Sequence, residues 1–207
     1  MSKKQDPAFS RSAVEFTAAA AELCKYAERA REIKGDEMLK ILQRLLPFLY
    51  LKASLIPSLE PYFEDGNEKF VTESDWNRIR DDIRKILGSA DDYVDESIEK
   101  VSDTATPEPS SISEDMADIY QDLKDFLLLY QTGTHEVMND ALWECRLNFE
   151  NIWGQKLLNC LRAIHKYIYS GEEITGLPDP EQDNREQRDT GEWFISKRQK
   201  DLRGDDN

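Results

Sequence analysis

The sequence has only two histidines, and its three cysteines form no CxxC pair. His135 and His165 are separated by roughly 45 Å if they lie on one helix, so they cannot share a metal ion. Cys145 and Cys160 would lie roughly 22 Å apart on the same helix, too far for a disulfide. We therefore expect buried, reduced thiols, no metal centre and no cofactor.

Long apolar runs are also missing from the sequence. A membrane-spanning helix needs ~20 consecutive apolar residues, and no segment approaches that length. The most apolar stretch, residues 45–56, is shorter and contains Pro47 and Lys52. The N-terminal residues 1–10 include basic side chains but no apolar core behind them, unlike a secretory signal. The sequence thus predicts a cytoplasmic protein without membrane association.

Positive charge is scarce in this chain. The 27 Lys and Arg residues stand against 42 Asp and Glu residues, which gives a formal charge of −15. A surface of this sign repels phosphate backbones and anionic lipid, so nucleic-acid binding is not expected. The charge is typical of a soluble protein and is compatible with a basic protein partner. A protein that mimics nucleic acid is a further alternative.

The clearest pattern present is a long helical one over residues 134–170, which contain no proline and one glycine. Apolar residues recur there at helical spacing and predict a single amphipathic helix. Other helices must cover its apolar side, so we predict an all-α fold, one bundle with this helix as its spine. The apolar stripe consists of Met138, Leu142, Cys145, Phe149, Ile152, Leu157, Leu158, Leu161, Ile164 and Ile168.

Shorter patterns complete a bundle of about five main helices. Gly35 is predicted to end the first helix, and Pro47 to kink the second because it lacks an amide donor. The second helix is apolar on nearly all sides, which predicts a central position in the bundle. The predicted helices begin near Ser10 or Ser12, at Glu37, after the capping box Thr72–Asp75, at Ser113 and after Thr134.

Composition divides the chain into one domain and its flanking segments. Residues 10–171 are predicted to form the bundle, with an acidic, mobile loop over about 89–112. Residues 1–9 are predicted to be disordered. Residues 172–207 are predicted to form an acidic, largely disordered tail.

Acidic residues on the fourth predicted helix form one candidate cluster. Asp118, Asp122 and Asp125 are spaced so that their carboxylates project along one side of the helix. Metal centres in helical bundles combine such carboxylates with a Glu-x-x-His motif, which is absent here. We interpret the cluster as a solvated acidic face that is partly neutralised by Lys124 and, across the interface, by Arg146 or Arg162.

The alternative hypothesis for these polar residues is a catalytic or ligand-binding pocket between the fourth and fifth helices. His165 would act there as a general base if Asp122 oriented it. Asp118, Arg146 and Arg162 would complete the pocket. This hypothesis requires the five side chains to converge on one cavity.

A mixed aromatic and charged strip on the long helix is the main candidate binding site. Trp143, Arg146, Glu150 and Trp153 lie within about 40° of one edge of an α-helix. The adjacent Gly154 costs ~1 kcal/mol relative to alanine in a helix interior, which indicates close approach by a backbone or a ligand. We predict a small-molecule pocket or peptide groove here. The structural alternative is packed tryptophans and an ion pair between Arg146 and Glu150.

A set of short motifs is spread along the predicted helices. They are Val14–Phe16, Leu46–Pro47, Ala117–Lys124, Ala141–Trp143, Trp153–Leu157 and Ala163–His165. Together they resemble an uncharacterised bacterial all-helical family, known only as a domain of unknown function and common in Bacteroides-like organisms. The resemblance covers about residues 10–170. It implies an all-helical cytoplasmic domain without catalytic residues.

These observations together favour a non-enzymatic protein-interaction or adaptor module in the bacterial cytoplasm. Its acidic surface would select a protein partner with a basic surface. The alternative is a small-ligand-binding or metal-dependent helical-bundle enzyme that uses the polar cluster of the fourth and fifth helices.

Overall fold

A computed structural model describes residues 7–63, 66–94 and 109–175 of the chain. These residues form a helical bundle, which confirms the predicted all-α class. The α-helices within the described residues are α1 (Arg11–Glu28), α2 (Gly35–Ser54), α3 (Glu73–Leu87), α4 (Ile112–Tyr130), α5 (His135–Asn148) and α6 (Gly154–Ser170).

The predicted long C-terminal helix is present, but a π-helical turn over Phe149–Trp153 separates α5 from α6. We call α5, the π turn and α6 together the rod. The Gly154 amide donates to the carbonyl of Phe149, five residues earlier. A Cβ atom on Gly154 would lie 2.3 Å from that carbonyl oxygen. The rod's own backbone therefore requires the glycine, and the atoms closest to this position belong to Phe149 of the same rod.

The π turn changes which residues of the rod face the core. A π turn takes up more residues than an α turn, so it shifts the phase of the apolar stripe at that point. Ile152 and Leu158 were predicted on the buried stripe but are 49% and 39% exposed. Trp153 is completely buried in their place.

The start of the bundle also differs from the prediction at one glycine. Ser10 caps α1, and its hydroxyl accepts from the amide of Ala13 at 3.2 Å. Gly35 does not end this helix but is the first residue of α2. A Cβ atom on Gly35 would lie 2.1 Å from the carbonyl oxygen of Ile86, so glycine allows α2 to begin against the end of α3.

The central helix of the bundle is α4, which packs against α1, α3, α5 and α6. The prediction that the second helix is central is wrong. α2 packs mainly against α1 and α6 and continues through Pro47, which is exposed. One side of this apolar helix is therefore left at the surface.

Two short strands lie at the ends of the predicted acidic loop. β1 (Asp92–Val94) pairs antiparallel with β2 (Pro109–Ser111). The sequence did not predict this pairing, because strands of three residues leave no readable periodicity. The loop residues between them, 95–108, lie outside the described part of the chain.

The N-terminal end of the bundle begins before residue 10. Residues Pro7–Phe9 form a single 3-10 turn, and Ala8 within it is completely buried. The Tyr130 hydroxyl donates to the carbonyl of Ala8 at 2.5 Å, which ties this turn to the end of α4. Residues 1–6, also predicted to be disordered, are not among those described.

The C-terminal end of the bundle reaches Thr175, beyond the predicted boundary at 171. The Ser89 amide donates to the carbonyl of Thr175 at 2.9 Å, and the Thr175 amide donates to the Ser89 hydroxyl at 3.1 Å. This reciprocal pair holds the segment after α6 against the end of α3. The rest of the predicted tail, residues 176–207, lies outside the described residues.

Candidate functional site

The carboxylates along the acidic face of α4 are in contact with side chains of α3 and α6. Lys156 of α6 places its ammonium 2.5 Å from Asp118 Oδ2 and 3.3 Å from Asp115 Oδ1. The indole of Trp76 on α3 donates to Asp118 Oδ1 at 2.7 Å. The carboxylates that follow one another along this face are Asp115, Asp118, Asp122 and Asp125.

The cation that neutralises this face differs from the one expected. Arg146 pairs with Glu150 on its own helix at 2.8 Å, and Arg162 donates to the carbonyl of Val94 at 3.4 Å. Lys156 takes the place predicted for either arginine. Sequence reasoning missed it because the π turn sets the direction of the α6 side chains.

Burial and charge act in opposite directions on this ion network. Burial raises the pKa of Asp115, while the Tyr93 hydroxyl and the Lys156 ammonium lower it in part. Burial by itself lowers the pKa of Lys156, but the hydrogen bond and the charge of Asp118, together with the charge of Asp115, raise it on balance. Lys156 is therefore held as a cation at neutral pH and is not available as a general base.

Asp122 lies further along α4, at the edge of a very small cavity. Its carboxylate accepts from the amide of Asn148 at 2.7 Å, and burial raises its pKa. The cavity beside it is also lined by Lys69 and Cys145 and has a volume of about 10 Å³. This volume is at the lower limit for one water molecule, so it cannot hold a substrate.

Because the pKa of Asp122 is raised, replacing this carboxyl by a neutral amide should increase the stability of the fold, and the size of the increase should depend on pH. Folding strengthens proton binding at Asp122, whose ordinary pKa is 3.8, so its contribution to stability falls as the pH rises through the folded pKa. Asp122→Asn keeps an oxygen that can accept from Asn148 and removes the buried charge. We expect a higher urea midpoint for the variant at neutral pH.

The same experiment at lower pH provides its own check. The gain from Asp122→Asn should shrink as the pH falls towards 3.8, since the wild-type carboxyl then becomes neutral too. The exposed Glu136→Gln on α5 is a matched control and should change the midpoint little at either pH. An equal gain from Asp122→Asn at both pH values would mean that the buried charge is not its cause.

Two other buried carboxylates hold the chain between α2 and α3. Asp125 Oδ1 accepts from the amides of Phe70 and Val71 at 2.8 and 2.9 Å. Asp140 of α5 accepts from two further amides of that connection, one at each carboxylate oxygen. Paired backbone amides at a carboxylate are a structural arrangement, because they occupy its lone pairs. Sequence analysis did not identify Asp140.

The predicted strip on the rod is divided by the π turn. Arg146 and Glu150 form an ion pair at the surface, and Trp143 is half-buried beside them. Trp153 lies in the core, where its indole nitrogen donates to the carbonyl of Cys145 at 3.1 Å. The α-helical angles placed Trp153 on the same edge, and the wider π turn moves it away. It cannot touch a partner of the folded domain.

The remaining candidate residues on α6 lie apart from the α4 carboxylates. His165 is exposed, and its ring contacts that of Tyr169 at a tilt of 52° with the centroids 4.6 Å apart. Arg162 lines a groove beside β1, whereas Asp122 lines the small cavity near Asn148. Asp118 is bound to Trp76 and Lys156. The contacts of the five proposed catalytic groups do not converge on one cavity.

The cysteines are unsuited to nucleophilic chemistry. All three are buried and free of disulfides. Burial raises the pKa of Cys24 to about 12 and raises those of Cys145 and Cys160 well above the ordinary value. The thiolate is the reactive form, so these side chains are inert thiols at neutral pH.

Neither a metal-binding cluster nor a membrane-spanning helix is found in the part of the chain that the structure describes. No group of three or more His, Cys, Asp or Glu side chains in that part is placed to hold a metal ion. Among the same residues, no helix combines the length and the apolar character that crossing a bilayer requires.

The surface of α2 that faces away from the bundle carries large apolar side chains that are exposed, the last of them on the residue that follows the helix. Phe48, Leu51 and Leu55 are 46%, 52% and 52% exposed. Their spacing of three and four residues places them on one side of the helix. We call Lys40, Arg44, Phe48, Leu51 and Leu55, all of which are exposed, the outer face of α2.

The described residues form an all-α helical domain. Residues 7–170 match the family described as a domain of unknown function, DUF5063, and the chain belongs to this family. The predicted family resemblance is thereby confirmed. A comparison with curated proteins finds no match.

A solved structure of similar fold comes from Bacteroides fragilis. The sequence of its protein BF1032, known from a crystal structure, is 39% identical to this chain, and the two structures superpose with a TM-score of 0.71. The similarity covers 82% of this chain and 99% of the other.

Proposed function

We propose that this domain is a non-enzymatic protein-interaction module of the bacterial cytoplasm. The observation that carries the proposal is the distribution of its polar side chains. Asp115 and Asp118 bind Lys156, and Asp122 binds Asn148, so each has a structural partner within the bundle. These polar side chains stabilise the packing of the helices and do not form a reaction site. The part of the domain that remains for function is its surface, which can bind a partner protein.

The enzyme alternative is supported less well by the same contacts. Acid–base catalysis needs a base and its orienting group within hydrogen-bond reach of one reacting atom. His165 contacts the ring of Tyr169 at the surface, while Asp122, its proposed orienting group, is bound to Asn148. The thiols offer no substitute nucleophile, because burial raises the pKa of each.

The apolar outer face of α2 is a second observation in favour of an interaction module. Large apolar side chains that are grouped on a surface mark protein contacts more often than isolated ones do. Leu51 and Leu55 are each about half exposed and are one helical turn apart.

The proposal is tested by affinity capture followed by reconstitution. The tagged full chain is used as bait in lysate of its native host, with an unrelated helical bundle of equal net charge as the control bait. We expect one protein to be enriched by this chain only and, once purified, to form a complex of fixed stoichiometry with it. Absence of such a protein, or turnover of a metabolite by the purified chain, would contradict the proposal.

A further inference from the structure

The outer face of α2 has the spacing of a helix-recognition surface. Phe48, Leu51 and Leu55 stand at positions i, i+3 and i+7, so they form one continuous ridge. Helices that bind each other in grooves use anchors at this spacing. The ridge is not covered by α1 or α6, the main packing partners of this helix, since its three side chains are about half exposed.

The charge of this helix is opposite to that of the chain as a whole. The sequence has no Asp or Glu between Glu37 and Glu60, although the chain has 42 acidic residues. Lys40 and Arg44 are exposed one turn apart on the outer face and lead into the apolar ridge. The face is therefore basic at one end and apolar at the other.

The positive charge of the outer face comes mainly from Arg44, because Lys40 has an acidic neighbour. Lys40 lies 3.6 Å from Asp36 in an exposed pair, which contributes little in water. Within the described residues, Arg44 forms no ion pair. The remaining cation of α2, Lys52, lies 2.7 Å from Glu15 of α1 and 5.2 Å from the centroid of the Phe48 ring, so this neutral pair borders the ridge.

We infer that the outer face of α2 binds an amphipathic helix of a partner protein, one that carries apolar side chains followed by Asp or Glu. The inference rests on the proposed function and names the surface and the chemistry of its partner. Apolar anchors would cover Phe48, Leu51 and Leu55. Acidic side chains one or two turns away would pair with Arg44 and Lys40.

This partner differs from the basic one that the total charge suggested. Charges further away than the Debye length, ~8 Å at physiological salt, are largely screened, so the side chains in contact decide the complementarity. Asp36, Glu172 and Glu173 line a cavity together with Lys40, whereas Arg44 stands next to the ridge and is the cation that a short helix over the ridge meets first. The net charge of the chain still repels an extended anionic membrane, which argues against lipid at the same ridge.

A second copy of the chain is also a poorer occupant of this face. In a two-fold dimer the same surface patch meets itself. Arg44 would then lie against the partner's own basic or apolar positions, because no acid follows Glu37 on this helix. Its charge would lose water without gaining an anion.

The inference is tested with a photo-crosslinking residue placed in the full chain in native cells. p-Benzoylphenylalanine replaces Leu51 in one variant and, as a matched control, the exposed Leu158 of α6 in another. We expect protein adducts at position 51 only. Mass spectrometry should map them to a segment with apolar residues at helical spacing and neighbouring Asp or Glu. Arg44→Glu in the same chain should reduce the adducts roughly tenfold, since it reverses the charge that recognises the acids.

The other outcomes separate this inference from the proposed function. Adducts to lipid, to a second copy of the chain or to a basic segment at position 51 would overturn the inference. A third variant carries the crosslinker at Arg146, in the strip predicted from the sequence. Protein adducts there but not at Leu51 would overturn the inference and leave the interaction module in place. Absence of protein adducts at every position would overturn both.

Discussion

Trp153→Ala is expected to lower the free energy of unfolding by about 3–5 kcal/mol, the usual loss when a fully buried tryptophan is truncated. Its ring lies in the core beside Phe149 and Phe16, with centroids 4.8 and 6.4 Å away. Removal leaves a cavity that these neighbours cannot fill, because the rod and α1 fix their backbones. Urea denaturation followed by circular dichroism measures the loss.

Two further variants identify the cause of this loss. Trp153→Phe keeps an aromatic ring but removes the indole donor to the carbonyl of Cys145, and should cost about 1 kcal/mol for that bond plus a smaller packing term. Trp143→Ala truncates a half-buried tryptophan on the same rod and should cost less than half as much as Trp153→Ala. Unchanged stability in Trp153→Ala would mean that this side chain is not part of the core.

Trp153 also shows which feature of the rod could not be predicted from the sequence. The apolar period over residues 134–170 predicted a long helix, because apolar residues that recur every 3.6 positions line one side of an α-helix. It could not predict the π turn, since one extra residue in a turn changes the phase without changing the composition. Ile152 was consequently assigned to the core and Trp153 to the surface strip, and the structure places each on the opposite side.

The sequence indicated that Gly154 is an unusual residue for a helix interior, but it could not show why glycine is required at this position. A helical glycine indicates that some atom comes too close for a Cβ. The close atom is the carbonyl oxygen of Phe149, within the same helix. Sequence alone cannot separate this case from approach by a second helix or a ligand, because all three require the same residue.

The position of α2 shows a second limit of sequence patterns. Apolar residues on every side predicted a central helix, yet Phe48, Leu51 and Leu55 are exposed. Hydrophobicity reports that a side chain favours burial, and it does not distinguish burial in the domain from burial against a partner. The failed prediction is therefore itself an argument for a docking surface on this helix.

The structural roles of the buried polar side chains are the feature that is hardest to predict from this sequence. Asp118 and Asp122 were found because they share a side of α4, whereas the spacing of Asp140 with Glu136 and Glu144 on α5 gives no sign that it alone is buried. Its role depends on backbone amides more than seventy residues earlier in the chain. Only the tertiary fold brings these groups together.

Asp140→Ala is expected to lower the free energy of unfolding by about 3 kcal/mol, because it removes hydrogen bonds to a buried carboxylate. Asp140 Oδ1 accepts from the amide of Tyr62 at 2.7 Å, and Oδ2 accepts from the amide of Phe63 at 2.8 Å. Asn139 donates its side-chain amide to the same carboxylate at 3.0 Å. Without the carboxylate, these donors depend on water at a site where the residue itself is only 3% exposed. Urea denaturation measures the loss.

A local measurement distinguishes this mechanism from general destabilisation. Amide hydrogen exchange at Tyr62 and Phe63 should accelerate in Asp140→Ala more than exchange in α4 does, because the connection between α2 and α3 loses its anchor first. Asp140→Asn retains one carbonyl oxygen and can satisfy one of the two amides, so about half of the loss should remain. Glu136→Ala removes an exposed acid one turn earlier on α5 and should leave exchange at both amides unchanged. If exchange at Tyr62 and Phe63 follows the global stability in all three variants, Asp140 does not anchor this connection.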